Sequence, residues 1–323
     1  MSNKPKTLQE AIQHFSDEQV CIDTIAALRW PNGPECPSCG HKEHYYLTTQ
    51  KRWKCKECYK QFTVKLGTIF EESPIPLCKW LVALWMLVNC RNGISSYEVA
   101  RDLGITQKSA WFVLHRLRLA LQTKSITKLG GSGAPVEADE TFIGGKSRFM
   151  HKSKRDRITS VQSMKAGGVK AVVMGVLERG GKVMTRVIPD RKHYITGKIV
   201  RELVEPGTEV HTDDFSGYYK LDDGYIHKIV NHLECYVKEN VHTNGLENFW
   251  SCLKRGLNGT YVAVEPFHLF RYVDEQAFRF NNRKGADSKP LKDFQRFELA
   301  LSQIAGKRLT FAEVTGKVGE TIF

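Results

Sequence analysis

The sequence has no long hydrophobic run and is short of negative charge. Its longest uncharged apolar stretch, Trp80 to Val88, is too short to cross a bilayer. The first fifteen residues lack the continuous apolar core of a signal peptide, so we expect a cytoplasmic location and no membrane partner. Lys and Arg number 48 against 35 Asp and Glu, a formal net charge of +13. That excess favours a polyanionic partner, with nucleic acid preferred to a membrane surface.

The composition excludes wholesale disorder and a disulfide-stapled mini-protein. At 323 residues, 41% hydrophobic and 26% charged, the chain predicts two or three folded domains. Nine cysteines are an odd count, and five of them stand singly in apolar or mixed segments: Cys21, Cys78, Cys90, Cys235 and Cys252. We interpret these five as reduced core thiols.

The other four cysteines predict a zinc ribbon within residues 1–72. Their order is C-x2-C, fifteen residues, C-x2-C, formed by Cys36, Cys39, Cys55 and Cys58. Four thiolates close a tetrahedral shell, so this one Zn²⁺ is expected to be structural. Two disulfides or a chance pairing are the alternatives, and the spacing and expected cytoplasmic location disfavour both. Basic residues around the cysteines suit phosphate contacts or a merely solvated rim.

Residues 73–122 predict a helical, helix-turn-helix-like DNA-binding segment. Apolar residues recur at helical spacing from Trp80 to Val88, and one face of that helix must be buried. Ser95 to Glu98 offers a capping box, Gly104 a turn, and Thr106 a cap for a third helix over 107–121. On that helix we expect Lys108 and Arg116 to face DNA. A plain helical bundle is the alternative, and residues 123–134 are interpreted as a linker.

The remaining chain predicts a mixed α/β catalytic domain over 135–287. A strand at 136–143 carries Asp139, a hairpin and a helix follow, and a strand at 209–213 ends at Asp213. After a further strand near 227–230, a helix capped by Thr243 or Asn244 presents Asn244, Glu247, Ser251 and Lys254 on one polar stripe. This order of elements is that of a ribonuclease H-like mixed sheet, in which three distant acids meet at one edge.

The chemistry that suits three such acids is metal-dependent phosphoryl transfer. Carboxylates are ligands for a hard divalent cation, and the basic surroundings argue against sugar hydrolysis. Eight Lys or Arg with one Asp over 146–170 predict a loop that grips phosphate, including Lys152, Lys154 and Arg155. The alternative is a charged loop that is only solvated and does not bind phosphate. Residues 288–323 are interpreted as a helical C-terminal appendage of unassigned role.

Four motifs resemble those of insertion-sequence transposases that join an N-terminal zinc ribbon to an ISXO-like DDE domain. The matching segments are VEADETFIGGK, VHTDDFSGY, HTNGLENFWSCLKRGL and RYVDEQAFRFNNR, within a resemblance that spans roughly Glu18 to Arg283. The resemblance implies catalytic, magnesium-binding carboxylates at Asp139, Asp213 and Glu247, with Asp213 preferred to the adjacent Asp214. It also implies that Lys254 contacts DNA, and we add Arg255 and Asn244 beside it.

The implied activity is that of a DNA transposase, a polynucleotidyl transferase and endonuclease. Two Mg²⁺ (or Mn²⁺) ions would support cleavage at the transposon end, and the freed 3′-OH would attack target DNA. The ribbon and the helical segment would bind terminal inverted repeats of double-stranded DNA, and a homodimer or larger synaptic assembly is expected. Rival hypotheses are a DNA-binding regulator that no longer cleaves, a nuclease acting on RNA hybrids or junctions, and a structural interaction protein.

Overall fold

The structure is a computed structural model that describes residues 4–122, 127–131, 133–144, 151–152, 170–214, 218, 221, 224–230, 241–285 and 287–316. The chain divides into two compact units, one formed by Met1–Gln122 with Asn282–Phe323 and the other by Thr123–Asn281. Among the described residues, no helix combines the length and the apolar character needed to cross a membrane.

In the first unit helices precede and follow the strands, whereas a strand is the first described element of the second unit. In chain order the elements are α1 (Leu8–His14), α2 (Glu18–Arg29), β1 (His44–Leu47), β2 (Arg52–Cys55), β3 (Gln61–Phe62), α3 (Leu77–Asn89), α4 (Ser96–Leu103), α5 (Gln107–Leu121), β4 (Val136–Ile143), β5 (Ala171–Glu178), β6 (Val183–Ile188), α6 (His193–Leu203), β7 (Glu209–Asp213), β8 (Ile226–Val230), α7 (Asn244–Arg255), α8 (Leu269–Asn281), α9 (Asp293–Leu301) and α10 (Phe311–Val314). A π-helical stretch, Gly256–Tyr261, continues α7.

Local capping signals set the helix starts of the first unit. Ser95 accepts a hydrogen bond from the Glu98 backbone N–H and completes the predicted capping box of α4, which ends at Gly104 in the left-handed conformation. Thr106 likewise caps α5 by accepting from Ser109 N–H. Both predicted caps are confirmed. Helices α1 and α2, which begin after the capping residues Thr7 and Asp17, were not predicted from the sequence.

Helix α3 lies at the centre of the first unit. The prediction that it buries one face was too narrow, because every residue from Trp80 to Val88 is buried. Helix α9 packs against it, since the Phe297 ring lies 5.2 Å from the Phe15 ring and 5.8 Å from the Trp85 ring, centroid to centroid. The C-terminal segment therefore supplies part of this core, which the interpretation as an appendage did not anticipate.

The zinc-ribbon region is a three-stranded antiparallel sheet in the order β1-β2-β3. Trp53 on β2 is buried and stacks on Phe62 of β3 with ring centroids 5.9 Å apart. Trp30, which follows α2, packs edge-on against both rings. One face of this small sheet is thus covered by the end of α2.

The second unit is built on a five-stranded mixed sheet in the order β6-β5-β4-β7-β8. Strands β4, β5 and β6 are antiparallel, whereas β7 runs parallel to β4 and β8 runs parallel to β7. On one face, α6 covers a core that includes Val136, Ala138 and Val172. On the other face, α7 and α8 cover Val173 and Leu177. Because side chains alternate along a strand, Glu137, Asp139 and Gly175 lie on the α7 face.

Candidate functional site

Two strands and one helix position the three predicted carboxylates. Asp139 lies in the middle of β4, Asp213 is the last residue of β7, and Glu247 is in the first turn of α7. Strand β4 pairs with β7 as Val136 with Val210 and Glu137 with His211. Asp139 on β4 and Asp213 on β7 each lie two residues beyond the second of these pairs.

The electrostatics show that these acids influence one another. Burial, then the negative charge of Asp213 and, least of all, that of Glu247 raise the pKa of Asp139 to about 6, against hydrogen bonds from Trp250 and the Glu140 N–H that lower it. Asp214, by contrast, is exposed just beyond the end of the strand. The structure therefore favours Asp213 over Asp214 as the partner of Asp139.

An open pocket of about 460 Å³ lies beside Asp139 and Glu247. Trp250, Ser251 and Lys254 from α7 also line it. The predicted polar stripe of α7 thus places Lys254 in the same pocket as Glu247, two helical turns further on. A cation at this position suits a ligand that carries negative charge.

A third carboxylate, Glu140, lines this pocket beside Asp139 and Glu247, and it was not predicted from the sequence. Burial raises the pKa of Glu140 to about 7, while a hydrogen bond from the Tyr218 hydroxyl opposes the shift. Tyr218 is fully buried. The tyrosine therefore holds Glu140 in place from the core of the second unit.

Helix α7 is fixed to β4 by a buried carboxylate, Glu137, that was also not predicted as a site residue from the sequence. Glu137 is 1% exposed and its Oε2 accepts a hydrogen bond from the Leu246 backbone N–H at 3.0 Å, near the start of α7. Its Oε1 accepts from Arg179 Nε at 3.0 Å and lies 3.4 Å from His242 Nδ1. Arg179 in turn donates to the His242 carbonyl at 2.8 Å. The available signal was the spacing of Glu137 and Asp139, which places both acids on one face of the strand.

Two glycines allow the helix to lie this close to the sheet. A Cβ at Gly245 would lie 2.7 Å from Glu137 Oε2 and 2.5 Å from Leu177 Cδ2. On the strand side, a Cβ at Gly175 would lie 2.7 Å from the Trp250 ring. Side chains at either position would push α7 away from the acids.

The other two residues predicted on α7 lie at its ends. Asn244 is the first residue of the helix and Arg255 the last, and both are exposed. Neither belongs to the residues that line the pocket. Their predicted role in DNA binding depends on surface contacts outside it.

The four cysteines of the ribbon come together as predicted. Their sulfur atoms all lie within 4.8 Å of one another, and both Cys36–Cys58 and Cys39–Cys55 are 3.6 Å apart, Sγ to Sγ. Sulfurs around a tetrahedral Zn²⁺ with bonds of about 2.3 Å are roughly 3.8 Å apart, so the cluster fits zinc. The eight cysteines in the described ranges are all free of disulfides, as expected. Of the five thiols expected in the core, Cys21 is buried, Cys78, Cys90 and Cys252 are half-buried, and Cys235 lies outside the described residues.

The carboxylates form a more open set than the thiolates. In the part of the chain that the structure describes, the cysteine cluster is the group whose ligand atoms meet within 4.8 Å. Mg²⁺ keeps several of its waters and takes one or two carboxylates directly, so it does not require such close oxygens. An all-oxygen donor set, together with the raised pKa of Asp139, therefore fits a hard divalent cation.

Of the two residues of α5 that were predicted to face DNA, Lys108 is exposed and Arg116 is buried. Lys108 is exposed, and its ammonium lies 4.9 Å from the centre of the Phe311 ring. Arg116 is only 3% exposed, and its guanidinium donates to the Leu309 carbonyl at 2.9 Å and to the Glu71 carbonyl at 2.8 Å. The prediction that Arg116 faces DNA is wrong, because these hydrogen bonds hold its guanidinium inside the first unit.

The predicted basic loop falls mostly outside the described residues. Lys152 is described and is exposed, whereas Lys154 and Arg155 lie outside the described ranges. The contribution of this loop to binding therefore stays a prediction.

Two stretches of the chain match known transposase domains. Residues 128–281 match an ISXO2-like transposase domain, and residues 16–61 match a transposase zinc-ribbon domain. An uncharacterized protein in transposable element ISH50 of Halobacterium salinarum is 27% identical over 294 residues, which cover 87% of this chain and 96% of that protein. An uncharacterized transposase-like protein of Haemophilus influenzae is 34% identical over 102 residues, which cover 31% of this chain and 82% of that protein.

These matches define the class as a DNA-processing enzyme that carries a zinc ribbon, and the four-cysteine cluster supports a structural zinc in that ribbon. The chain belongs to the family of insertion-sequence transposases with the ISXO2-like transposase domain.

Proposed function

We propose that the protein is a DDE transposase that binds the terminal inverted repeats of its element and catalyses metal-dependent DNA cleavage and strand transfer. The observation that carries this proposal is the convergence of Asp139, Asp213 and Glu247, from two adjacent strands and a helix, next to the pocket that also contains Lys254. The order β6-β5-β4-β7-β8, with one helix on one face and two on the other, supports a ribonuclease H-like arrangement.

In this proposal the three carboxylates hold two Mg²⁺ or Mn²⁺ ions. Bound there, the ions would lower the pKa of an attacking water and neutralise charge on the phosphodiester. Lys254 would hold a DNA phosphate at the pocket, and the exposed Asn244 and Arg255 would contact the DNA at the two ends of α7. The chain itself thus positions the DNA, while its acids keep their place through the contacts of β4 with α7.

The ribbon and the helical segment would bind the transposon ends. On α5, the side chain of Lys108 would contact the phosphate backbone of the DNA. Lys152, with Lys154 and Arg155, would hold flanking or target DNA. Because two transposon ends must be brought together, we propose that the active form is a homodimer or a larger assembly.

The test is a cleavage and joining assay on DNA that carries the boundary of the element. Purified protein is incubated with the DNA in Mg²⁺ or Mn²⁺, and nicks with a 3′-OH and joined products are mapped. Asp139→Ala, Asp213→Ala and Glu247→Ala are expected to bind DNA but to lose both products, while the neighbouring Asp214→Ala keeps them. Specific binding without cleavage by the unaltered protein would contradict the proposal and favour a regulator.

A further inference from the structure

One side chain that lines the pocket, Trp250 of α7, reaches Asp139 on β4. The Trp250 indole Nε1–H donates to Asp139 Oδ2 at 3.0 Å, and Trp250 is 4% exposed. The other carboxylate oxygen, Oδ1, accepts the Glu140 backbone N–H at 2.8 Å. A carboxylate offers about four acceptor sites, so these two bonds fix its plane and still leave acceptors for a cation.

The surrounding backbone is shaped to allow this contact. Gly175 is paired directly opposite Asp139 on β5 and lies on the face that α7 covers. A Cβ there would lie 2.7 Å from Trp250 Cζ2 and 2.8 Å from Cη2, so a larger residue would displace the indole from the carboxylate. The glycine thus provides the space that brings the ring nitrogen to Asp139.

The contact of Trp250 with Asp139 is one of two hydrogen bonds that join α7 to β4. Leu246 N–H bonds Glu137, and Trp250, four residues later, bonds Asp139, two residues later on the strand. Four helical residues rise about 6 Å and two strand residues about 6.7 Å, so both contacts form with α7 lying along β4. A tryptophan that only filled the core would not require its N–H to point at the acid.

We propose that Trp250 is a positioning residue, which orients the Asp139 carboxylate for the divalent cation and depends on Gly175 to reach it. The inference rests on the proposed function, because it assigns the Asp139 carboxylate to the cation site. Groups that orient metal ligands typically change metal affinity by about 10-fold to 100-fold when they are removed.

The test compares Trp250→Phe with Trp80→Phe in the full-length, zinc-loaded protein. Trp80 is a matched control because it is also buried and its Nε1–H donates to Ser73 Oγ at 3.1 Å, in the other unit. Binding of Mn²⁺ is measured from the electron paramagnetic resonance signal of free Mn²⁺, with Asp139→Ala as the reference for loss of the site. Thermal unfolding of each variant reports whether it is folded.

We expect Trp250→Phe to raise the Kd for Mn²⁺ by about 10-fold, and Trp80→Phe to leave it unchanged. The Mn²⁺ concentration that gives half-maximal DNA cleavage should rise by the same factor, a shift that a mere loss of folded protein would not produce. Gly175→Ala, which keeps the indole but crowds it, should also raise the Kd and provides the test if Trp250→Phe does not fold.

Two results would overturn the inference, and they are distinguishable. If Trp250→Phe and Gly175→Ala bind Mn²⁺ as tightly as Trp80→Phe, while Asp139→Ala does not, the acids bind the cation but Trp250 does not orient them. If Asp139→Ala binds Mn²⁺ as tightly as the unaltered protein, the proposed cation site is wrong, and the role of Trp250 falls with it.

Discussion

Replacement of Glu137 tests whether its buried carboxylate fixes helix α7 to the sheet. Glu137 is 1% exposed, and its two oxygens bond the Leu246 N–H and Arg179 Nε, each at 3.0 Å. Glu137→Ala removes both acceptors and leaves the Arg179 guanidinium, whose side chain is 21% exposed, without this partner. Loss of one member of a buried ion pair costs about 3–5 kcal/mol, so we expect a fall of that size in the free energy of unfolding.

Glu137→Gln should cost less, because the amide keeps one acceptor oxygen. A hydrogen bond to a charged group contributes about 1.5–3 kcal/mol, and we expect a loss in that range. Glu202→Gln is the control, since Glu202 lies on α6 with a 52% exposed side chain and a Lys198 contact at 3.8 Å. Such exposed pairs contribute less than about 0.5 kcal/mol.

The assay for these variants combines urea denaturation with hydrogen exchange. Denaturation of the full chain gives the free energies, and mass spectrometry follows exchange in peptides from α7 and, for comparison, α3. Glu137→Ala should speed exchange at Leu246 and in the first turn of α7 while α3 stays protected. The assigned role of Glu137 would be wrong if Glu137→Ala lost no more stability than Glu202→Gln and the α7 amides exchanged at the original rate.

Four further predictions concern the first unit. Cys36→Ser should lower the zinc content from one ion per chain and unfold the ribbon. Atomic absorption measures the zinc and circular dichroism the folding, and an unaltered protein that holds no zinc would contradict the prediction. Burial raises the pKa of the Cys21 thiol to about 12. The thiol should therefore resist alkylation at about pH 8 until the protein is unfolded, which mass spectrometry can establish. Rapid labelling of Cys21 in the native chain would contradict this prediction. Arg116→Ala should destabilise the protein by about 3 kcal/mol in urea denaturation, because two backbone carbonyls lose their donor. Lys108→Ala should keep stability but weaken DNA binding in a mobility-shift assay, and the opposite pattern for these two residues would restore Arg116 as a DNA contact.

The local features of the fold were accessible from the sequence because they depend on neighbouring residues. The strand Glu209–Asp213 and the helix Gln107–Leu121 were predicted with the bounds that the structure has. A threonine cap, a capping box or a period of two involves side chains and backbone within a few residues. The zinc cluster was predictable for the same reason, since each C-x2-C pair is local and only four ligands had to meet.

Exposure on a helix was harder to predict. Arg116 lies on a helix whose apolar stripe was predicted correctly, yet its guanidinium bonds a carbonyl 193 residues away in the chain. The C-terminal residues that supply this carbonyl had been interpreted as an appendage. Periodicity separates apolar from polar residues, but it does not show which polar residues a distant segment will cover.

Residue type and short spacing were enough to predict most of the strands and helices, the four cysteines and the acids Asp139, Asp213 and Glu247, because that information is local. The packing of α7 on β4 could not be predicted in this way, because it depends on contacts between distant segments. Glu137 meets Leu246 across 109 residues and Asp139 meets Trp250 across 111, and both contacts depend on two glycines at the interface. Such contacts are fixed when a helix and a sheet pack together, since a shift of one residue in either would separate the indole from the acid.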